Sequence, residues 1–225
     1  EFRRVLFRSI EAFGQIDNGV RRDGGEEFIH GRDIDRVHAV LAQTPTAVSG
    51  APVAYVPDTR HGLAAVSAHF YGRPSESMKI IGVTGTNGKT TITYLVKAIL
   101  ENAGYPCGVI GTIAYVYGNV SHESKNTTPE SLELQRMLHE MKTESGVGAC
   151  VMEVSSHSLA LSRTDEIAFD YGIFTNLTED HLDFHKDFED YYQAKKKLFT
   201  QTGIMNIINI DDLYGQRLYK ELKAA

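Results

Sequence analysis

Residues 78–104 read MKIIGVTGTNGKTTITYLVKAILENAG, and three textures follow one another within them. KIIGVT is a short, nearly unbroken apolar run of the kind that forms a strand buried on both faces. GTNG is a turn, and the rest carries a helical period up to Gly104, which suits the glycine that ends a helix. A strand, a glycine turn and a helix in that order make a cradle for phosphate. Small residues let backbone N–H groups converge on anionic oxygens, and the helix N-terminus adds partial positive charge. In such a loop Lys89 bridges the β- and γ-phosphates and the Thr90 hydroxyl sits on Mg²⁺. Gly85, Thr86, Asn87, Gly88, Lys89, Thr90 and Thr91 are therefore the candidate nucleotide-binding residues. The strict P-loop pattern fails at one position, because Val83 stands where its first glycine is expected and Gly85 serves instead.

Strand and helix patterns alternate on the C-terminal side. A strand is expected near 108–113, then a loop reaching Asn126-Thr127-Thr128-Pro129. In the helix that follows, Leu134, Met137, Leu138 and Met141 form the apolar stripe, with Thr128 suited to the cap and Pro129 to the first turn. Strands follow at 149–154 and 169–175, a helix at 188–199, a strand near 205–210 and a last helical stretch from Leu213 to Ala225. Such alternation predicts an α/β fold: a P-loop-type, mostly parallel sheet with helices on both faces, whose strands run out before the sheet is finished.

On the N-terminal side the pattern is weaker. Ala39-Val40-Leu41 and Val53-Ala54-Tyr55-Val56 suggest strands of a small α/β domain. Leu63, Val66 and Phe70 give a helical period that stops at the Gly/Pro break Tyr71-Gly72-Arg73-Pro74, an expected interdomain linker. The expected division is an N-terminal domain over 1–77 and a central, incomplete domain over 78–225. The basic leader EFRRVLFRS (1–9) lacks the apolar run of a signal peptide and is set aside from the fold reasoning.

Three residues beyond the loop carry possible chemistry. Glu153 ends an expected strand of the same sheet that carries the phosphate loop, and in P-loop enzymes such a carboxylate holds Mg²⁺ directly or through water. A strand-end acid facing solvent is the plain alternative, and the following Ser155-Ser156-His157 favours the site. His181 lies in FTNLTEDHLDFH among Glu179, Asp180 and Asp183; a lone histidine is more often structural. Lys195 shares one helix face with Phe188, Tyr191, Tyr192, Leu198 and Phe199, whereas Lys196 and Lys197 turn toward water. Such a lysine usually snorkels to the surface. Alternatively burial lowers its pKa, and the neutral amine reacts with CO₂ to give a carbamate, in effect a long carboxylate able to ligate metal.

The chain has 225 residues and a net charge of −6, with its basic residues scattered, so neither nucleic acid nor an anionic membrane is the expected partner. Two cysteines without metal or disulfide spacing suit a reducing cytoplasm, and no apolar run approaches a membrane span. A cytoplasmic monomer is expected.

Taken together, these motifs resemble the Mur ligases, and among them the MurE type. TGTNGKTT (84–91) is similar to their phosphate loop. NLTEDHLDFH (176–185) matches their N-L-x-x-D-H-L-D-x-H pattern, and Lys195, preceded by Ala194, falls 14 residues after His181 as their carbamylated lysine does. NTTPESLELQ (126–135), MEVSSHSLALSR (152–163) and INIDD (208–212) resemble further MurE stretches. The match is close from about Val56 to Asp212 and poor before it; an Asp-Ser-Arg segment that helps bind uridine in the family has no counterpart.

The resemblance implies an ATP-dependent acid–amino-acid ligase of peptidoglycan precursor synthesis. It implies two Mg²⁺ sites, one using Thr90 and Glu153, the other His181 and carbamylated Lys195, so that Lys89, Glu153, His181 and Lys195 form the catalytic set. It implies UDP-MurNAc-dipeptide as substrate, met by Asn126, Thr127, Thr128, Ser155 and Arg163, and meso-diaminopimelate or L-lysine as the amino acid joined through an acyl phosphate. The amino-acid pocket would belong to a C-terminal domain outside this chain, which would leave the chain inactive alone. A folylpolyglutamate synthetase or another Mur enzyme would share the phosphate loop, but has no reason to carry both NTTPE and SSHSLALSR. A GTPase-like switch should show N-K-x-D, which is missing, and a non-catalytic remnant is kept open by the irregular first 55 residues.

Overall fold

The computed structural model describes residues 20–23, 26–29, 40–45, 52–180 and 183–224. Two small pairings precede the main body. Strands β1 (Val20–Asp23) and β2 (Glu26–Ile29) form an antiparallel hairpin, and β3 (Val40–Ala42) and β4 (Val53–Tyr55) pair in parallel. The last two are the apolar pieces expected to be strands. Helix α1 (Thr59–Phe70) follows, its N-terminal N–H groups at Arg60 and His61 accepted by the Asp58 carboxylate. Its deeply buried residues are Ala64, Ser67 and Ala68 rather than the expected Leu63, Val66 and Phe70, which are only half-buried. Small side chains on that face let α1 lie close to its neighbour.

The Gly/Pro break after α1 is fastened to the body. Gly72 and Arg73 take positive φ (72° and 50°), and a 3₁₀ turn runs over Pro74–Ser77. Arg73 pairs with Glu166 at 2.6 Å, and the Ser75 hydroxyl accepts the Ala168 N–H at 3.1 Å.

The body is a seven-stranded sheet. Its strands are β5 (Lys79–Thr84), β6 (Cys107–Ile110), β7 (Ala114–Tyr117), β8 (Val120–Glu123), β9 (Ala149–Glu153), β10 (Phe169–Phe174) and β11 (Thr202–Ile208), in the order β11-β10-β5-β9-β6-β7-β8. The first five in that order are parallel, and β7 and β8 add an antiparallel edge. This edge corrects the sequence reading, which had a loop there. Tyr115 and Tyr117 are buried on alternate positions, and the two-residue Gly118-Asn119 turn closes a hairpin.

Helix α2 (Lys89–Asn102) covers one face. Its Ile92, Val96 and Leu100 pack on Ile81, Val83, Cys107, Ala149 and Val151. The other face carries the larger core, where α3 (Ser131–Thr143), α5 (Phe188–Thr200) and α6 (Leu213–Ala224) meet Ile80, Cys150 and Met152. Leu134, Met137, Leu138 and Met141 of α3 are all buried, as their spacing predicted. The expected cap is corrected: α3 begins at Ser131 with Glu130 at the N-cap, because the Thr128 hydroxyl is spent elsewhere. A one-turn helix α4 (Ser156–Ala160) starts at Ser155, whose hydroxyl accepts the Ser158 N–H. Among the described residues no helix is long and apolar enough to cross a membrane.

Register brings three strand ends together. Val83 lies opposite Glu153, and Thr84 opposite Phe174, so β5, β9 and β10 deliver their C-terminal ends to one edge. In parallel α/β sheets that edge is where ligands bind.

Helix α6 is locked onto α5 by charge. Arg217 forks onto Glu189 at 2.6 and 2.7 Å and reaches Glu221 at 2.7 Å, while Lys196 meets Glu221 at 2.9 Å. The bond from Arg217 holds Glu189 down to about 2. Burial pushes Glu221 up, but Lys196, Tyr192 and Arg217 outweigh it and hold it at about 2. Both carboxylates are thus more acidic folded than unfolded. Their contribution is present above the ordinary value of 4.5 and is lost as pH falls toward 2. Arg217→Ala should destabilise the chain by about 1 kcal/mol at neutral pH. Urea unfolding should show that difference shrinking between pH 4.5 and 2.

Candidate active site

A cavity of about 400 Å³ opens at the edge where the three strands end. Its floor is the loop between β5 and α2. Gly85 has φ of +147°, and a side chain there would collide with the Thr175 hydroxyl, so glycine is required on both counts. The segment after β10 holds the loop in shape. Asn176 accepts the Asn87 N–H at 3.0 Å and donates to the Asn87 carbonyl at 3.1 Å, and the Thr175 hydroxyl donates to that carbonyl at 2.7 Å. The Thr86 N–H donates to the Asn176 carbonyl at 3.0 Å.

Two lysines converge on this loop. Lys89 donates to the carbonyls of Gly85 (2.9 Å) and Thr86 (2.8 Å), and Lys195 donates to the same Gly85 carbonyl at 2.9 Å. Lys195 is 1% exposed, with its Nζ 4.6 Å from the centre of the Tyr191 ring. The lysine on the apolar stripe therefore does not snorkel. Helix α5 can bring it so near because Gly82 on β5 has no side chain: a Cβ there would stand 2.9 Å from Leu198 and from Phe169. Burial lowers the pKa of Lys195 well below the lysine range, and the neighbouring Lys89 lowers it further, against a smaller opposing effect of Asp180. Burial lowers Lys89 as well, opposed by Glu153 and Asp180.

Glu153 is 1% exposed and turned into the cavity. Its Oε1 accepts the Thr90 hydroxyl at 3.0 Å and the Thr112 N–H at 2.8 Å, and its Oε2 accepts the Thr112 hydroxyl at 3.1 Å. The far wall carries Asn126, Thr127, Thr128, Ser155 and Arg163. The Thr127 hydroxyl lies 3.0 Å from that of Thr112. The Thr128 hydroxyl donates to the Glu153 carbonyl at 2.8 Å and accepts the Ser155 N–H at 3.1 Å. Arg163 donates to the Thr128 carbonyl at 3.2 Å and pairs with Glu130 at 2.8 Å.

The chain's residues 83–225 match the family model described as the Mur ligase middle domain. The chain belongs to the Mur ligase family. It is 52% identical over 185 residues to the UDP-N-acetylmuramoyl-L-alanyl-D-glutamate--2,6-diaminopimelate ligase of Alkaliphilus oremlandii, covering 82% of this chain and 38% of that protein. A protein of the same name from Alkaliphilus metalliredigens is 48% identical over 97% of this chain and 42% of its own length. The chain thus spans about two fifths of the length of such relatives. A solved structure of a ligase of this name superposes with a TM-score of 0.72 at 28% identity, covering 83% of this chain and 38% of that one.

Within this Mur ligase fold, the loop residues 86–90, Asn126, Thr127, Thr128, Glu153, Ser155, Arg163 and Lys195 line one cavity. Gly85 shapes the loop beneath them, and Thr91 lies exposed at the start of α2. His181 lies outside the described residues. Sequence reasoning missed Thr112, which meets Glu153 through both its N–H and its hydroxyl, and Tyr191, whose hydroxyl lies 3.1 Å from that of Thr86. Thr112 sits in a plain GTI stretch with no signal. Tyr191 was read as part of the apolar stripe, and its polar tip was the available clue.

The buried lysine gives a measurable consequence. Unfolding returns Lys195 to an ordinary pKa of about 10.4. Below that pH the unfolded chain takes up a proton that the folded chain resists, so this residue reduces stability at neutral pH. The penalty fades as pH rises toward about 10. Lys195→Met in CO₂-free buffer should stabilise the chain at pH near 7, seen as a higher urea midpoint. Urea melts should show the gain shrinking as the buffer is made alkaline; a gain independent of pH would contradict this account.

Proposed function

We propose that this chain belongs to a cytoplasmic, monomeric ligase that joins 2,6-diaminopimelate to UDP-MurNAc-L-Ala-D-Glu at the expense of ATP. One observation carries the reading: a phosphate-type loop, a buried carboxylate and a buried lysine share one cavity with the hydroxyl- and arginine-bearing wall of residues 126–163. The amino acid is read as diaminopimelate rather than L-lysine because relatives at about half identity bear that name. In this reading residues 78–225 form the nucleotide-binding body and residues 1–77 serve the uridine end of the substrate.

The γ-phosphoryl group of ATP passes to the substrate carboxylate, and the amine then displaces phosphate from the resulting acyl phosphate to leave an amide. Lys89 neutralises charge on the transferring group, and the N–H groups of Gly88, Lys89 and Thr90 at the start of α2 hold the other phosphates, those of Thr86 and Asn87 being engaged by Asn176. A phosphate oxygen displaces the loop carbonyls as partner of Lys89, because a charged acceptor binds an ammonium more strongly than a neutral one. Asn126, Thr127, Thr128, Ser155 and Arg163 orient the sugar–peptide substrate against the loop, and the enclosing walls keep water from the acyl phosphate.

The donors suit magnesium, a hard cation that prefers oxygen. Glu153 and Thr90 would hold one ion, and His181 with Lys195 as its carbamate the other. Bound magnesium supplies charge neutralisation for phosphoryl transfer. The burial of Lys195 supports the carbamate, since only the neutral amine has the lone pair that attacks the carbon of CO₂, losing a proton to leave N–COO⁻.

Calorimetric titration tests the reading. The chain should bind ATP with magnesium, and Lys89→Ala should weaken it by roughly tenfold or more. With isotope-labelled bicarbonate, a carbamate carbonyl resonance should appear and be lost in Lys195→Met. A chain that binds neither ATP nor the UDP-MurNAc-dipeptide would end the proposal.

A further inference from the structure

Position 130 is the N-cap of α3, where Ser, Thr, Asp or Asn ordinarily accepts the free N–H groups of the first turn. A glutamate stands there, and its carboxylate makes no cap bond. It turns instead to two arginines, Oε1 meeting Arg163 at 2.8 Å and Oε2 meeting Arg60 of α1 at 3.3 Å. A local rule broken without benefit to the helix marks a residue held for another purpose.

Arg163 is braced a second time, because its Nη1 donates to the Thr128 carbonyl at 3.2 Å. Thr128 is itself fixed to Glu153 and Ser155. The Arg163 side chain is 16% exposed, it lines the cavity, and its buried Nε has no acceptor among the described residues. A guanidinium with free donors on a cavity wall is suited to a carboxylate or phosphate.

We infer that Glu130 is a positioning residue for substrate binding: it fixes the Arg163 fork at the cavity wall to receive an anionic group of the bound molecule. This rests on the reading of the cavity given above. Two effects of Glu130 oppose each other. It repels an incoming anion, and it removes the rotamer freedom that a long arginine would otherwise lose on binding. Glu130 is 37% exposed, so water screens its repulsion, while the bracing acts directly on the arginine; bracing wins. Arg60 is the solvent end of the bridge, 45% exposed, and contributes little.

The test is titration of the chain with UDP-MurNAc-L-Ala-D-Glu, with melting temperature and ATP affinity as controls. Glu130→Ala should weaken UDP-dipeptide binding by roughly tenfold, and Glu130→Gln, which keeps an acceptor, by less. In the Arg163→Ala background, Glu130→Ala should add nothing further, and both controls should stay put. Repeating the series with UDP-N-acetylglucosamine, which keeps the diphosphate and carries no carboxylate, assigns the anion: the Glu130→Ala penalty persists for a diphosphate and disappears for a carboxylate. Unchanged or tighter binding by Glu130→Ala, or additive losses with Arg163→Ala, would overturn the inference alone. An unmodified chain that binds ATP but not the UDP-dipeptide would overturn the reading of the cavity, and the inference with it.

Discussion

The carbonyl of Gly85 is the point on which the site depends. It accepts from Lys89 and from Lys195 at 2.9 Å each, so two lysine nitrogens lie within strong electrostatic reach of each other where water is scarce. Two ammonium groups sharing one neutral oxygen are a poor arrangement unless one gives up its proton. The more buried of the two, Lys195, is the one whose charge is disfavoured more strongly. The same carbonyl is a weak partner compared with a phosphate, so the arrangement is already biased toward an anionic ligand.

That carbonyl is in place because of events elsewhere in the sheet. Gly82, three residues earlier, lets α5 press against β5, and the side chains of Leu198 and Phe169 fill the space a Cβ would need. One helical turn before Leu198 stands Lys195, and one turn earlier still Tyr191, whose hydroxyl reaches Thr86 while its ring lies against the lysine nitrogen. Packing of an apolar helix face therefore fixes the position of a polar group, and the phosphate loop is braced from the β10 side by Thr175 and Asn176. Core and site are one construction here.

This explains which parts were legible in the sequence. The loop's place between strand and helix was legible because its glycines break an apolar run just before a helical period begins, and the burial of Lys195 was legible because it stands on an otherwise apolar stripe. The inner parallel strands β5, β6 and β9 could be read because strands buried on both faces are nearly apolar throughout. The β7–β8 hairpin was passed over because Ala114–Tyr117 and Val120–Glu123 are only four residues each, too short for alternation to stand out, although Gly118-Asn119 was a turn signal. Thr128 was misassigned as a cap because its local sequence suits that role, whereas its hydroxyl serves β9, 25 residues away. Thr112 could not be found at all: its use of a backbone N–H toward Glu153 is a property of chain path, which residue type does not report.

Glu153 ties the two walls together. Its carboxylate faces the loop through Thr90 and the β6–β7 connection through Thr112, while its own carbonyl receives Thr128 from the opposite wall of the cavity. In the proposed reading a cation beside Thr90 would need only that hydroxyl to turn its proton away, because the Thr112 N–H holds the same oxygen. The carboxylate is thus preorganised for a positive charge without reorganising when it arrives, which is the condition under which electrostatic stabilisation is most effective. Since Thr128 also anchors Arg163, a shift of Glu153 by a fraction of an ångström would be felt at both ends of the cavity, and rigidity of β9 at the centre of the sheet is what prevents it.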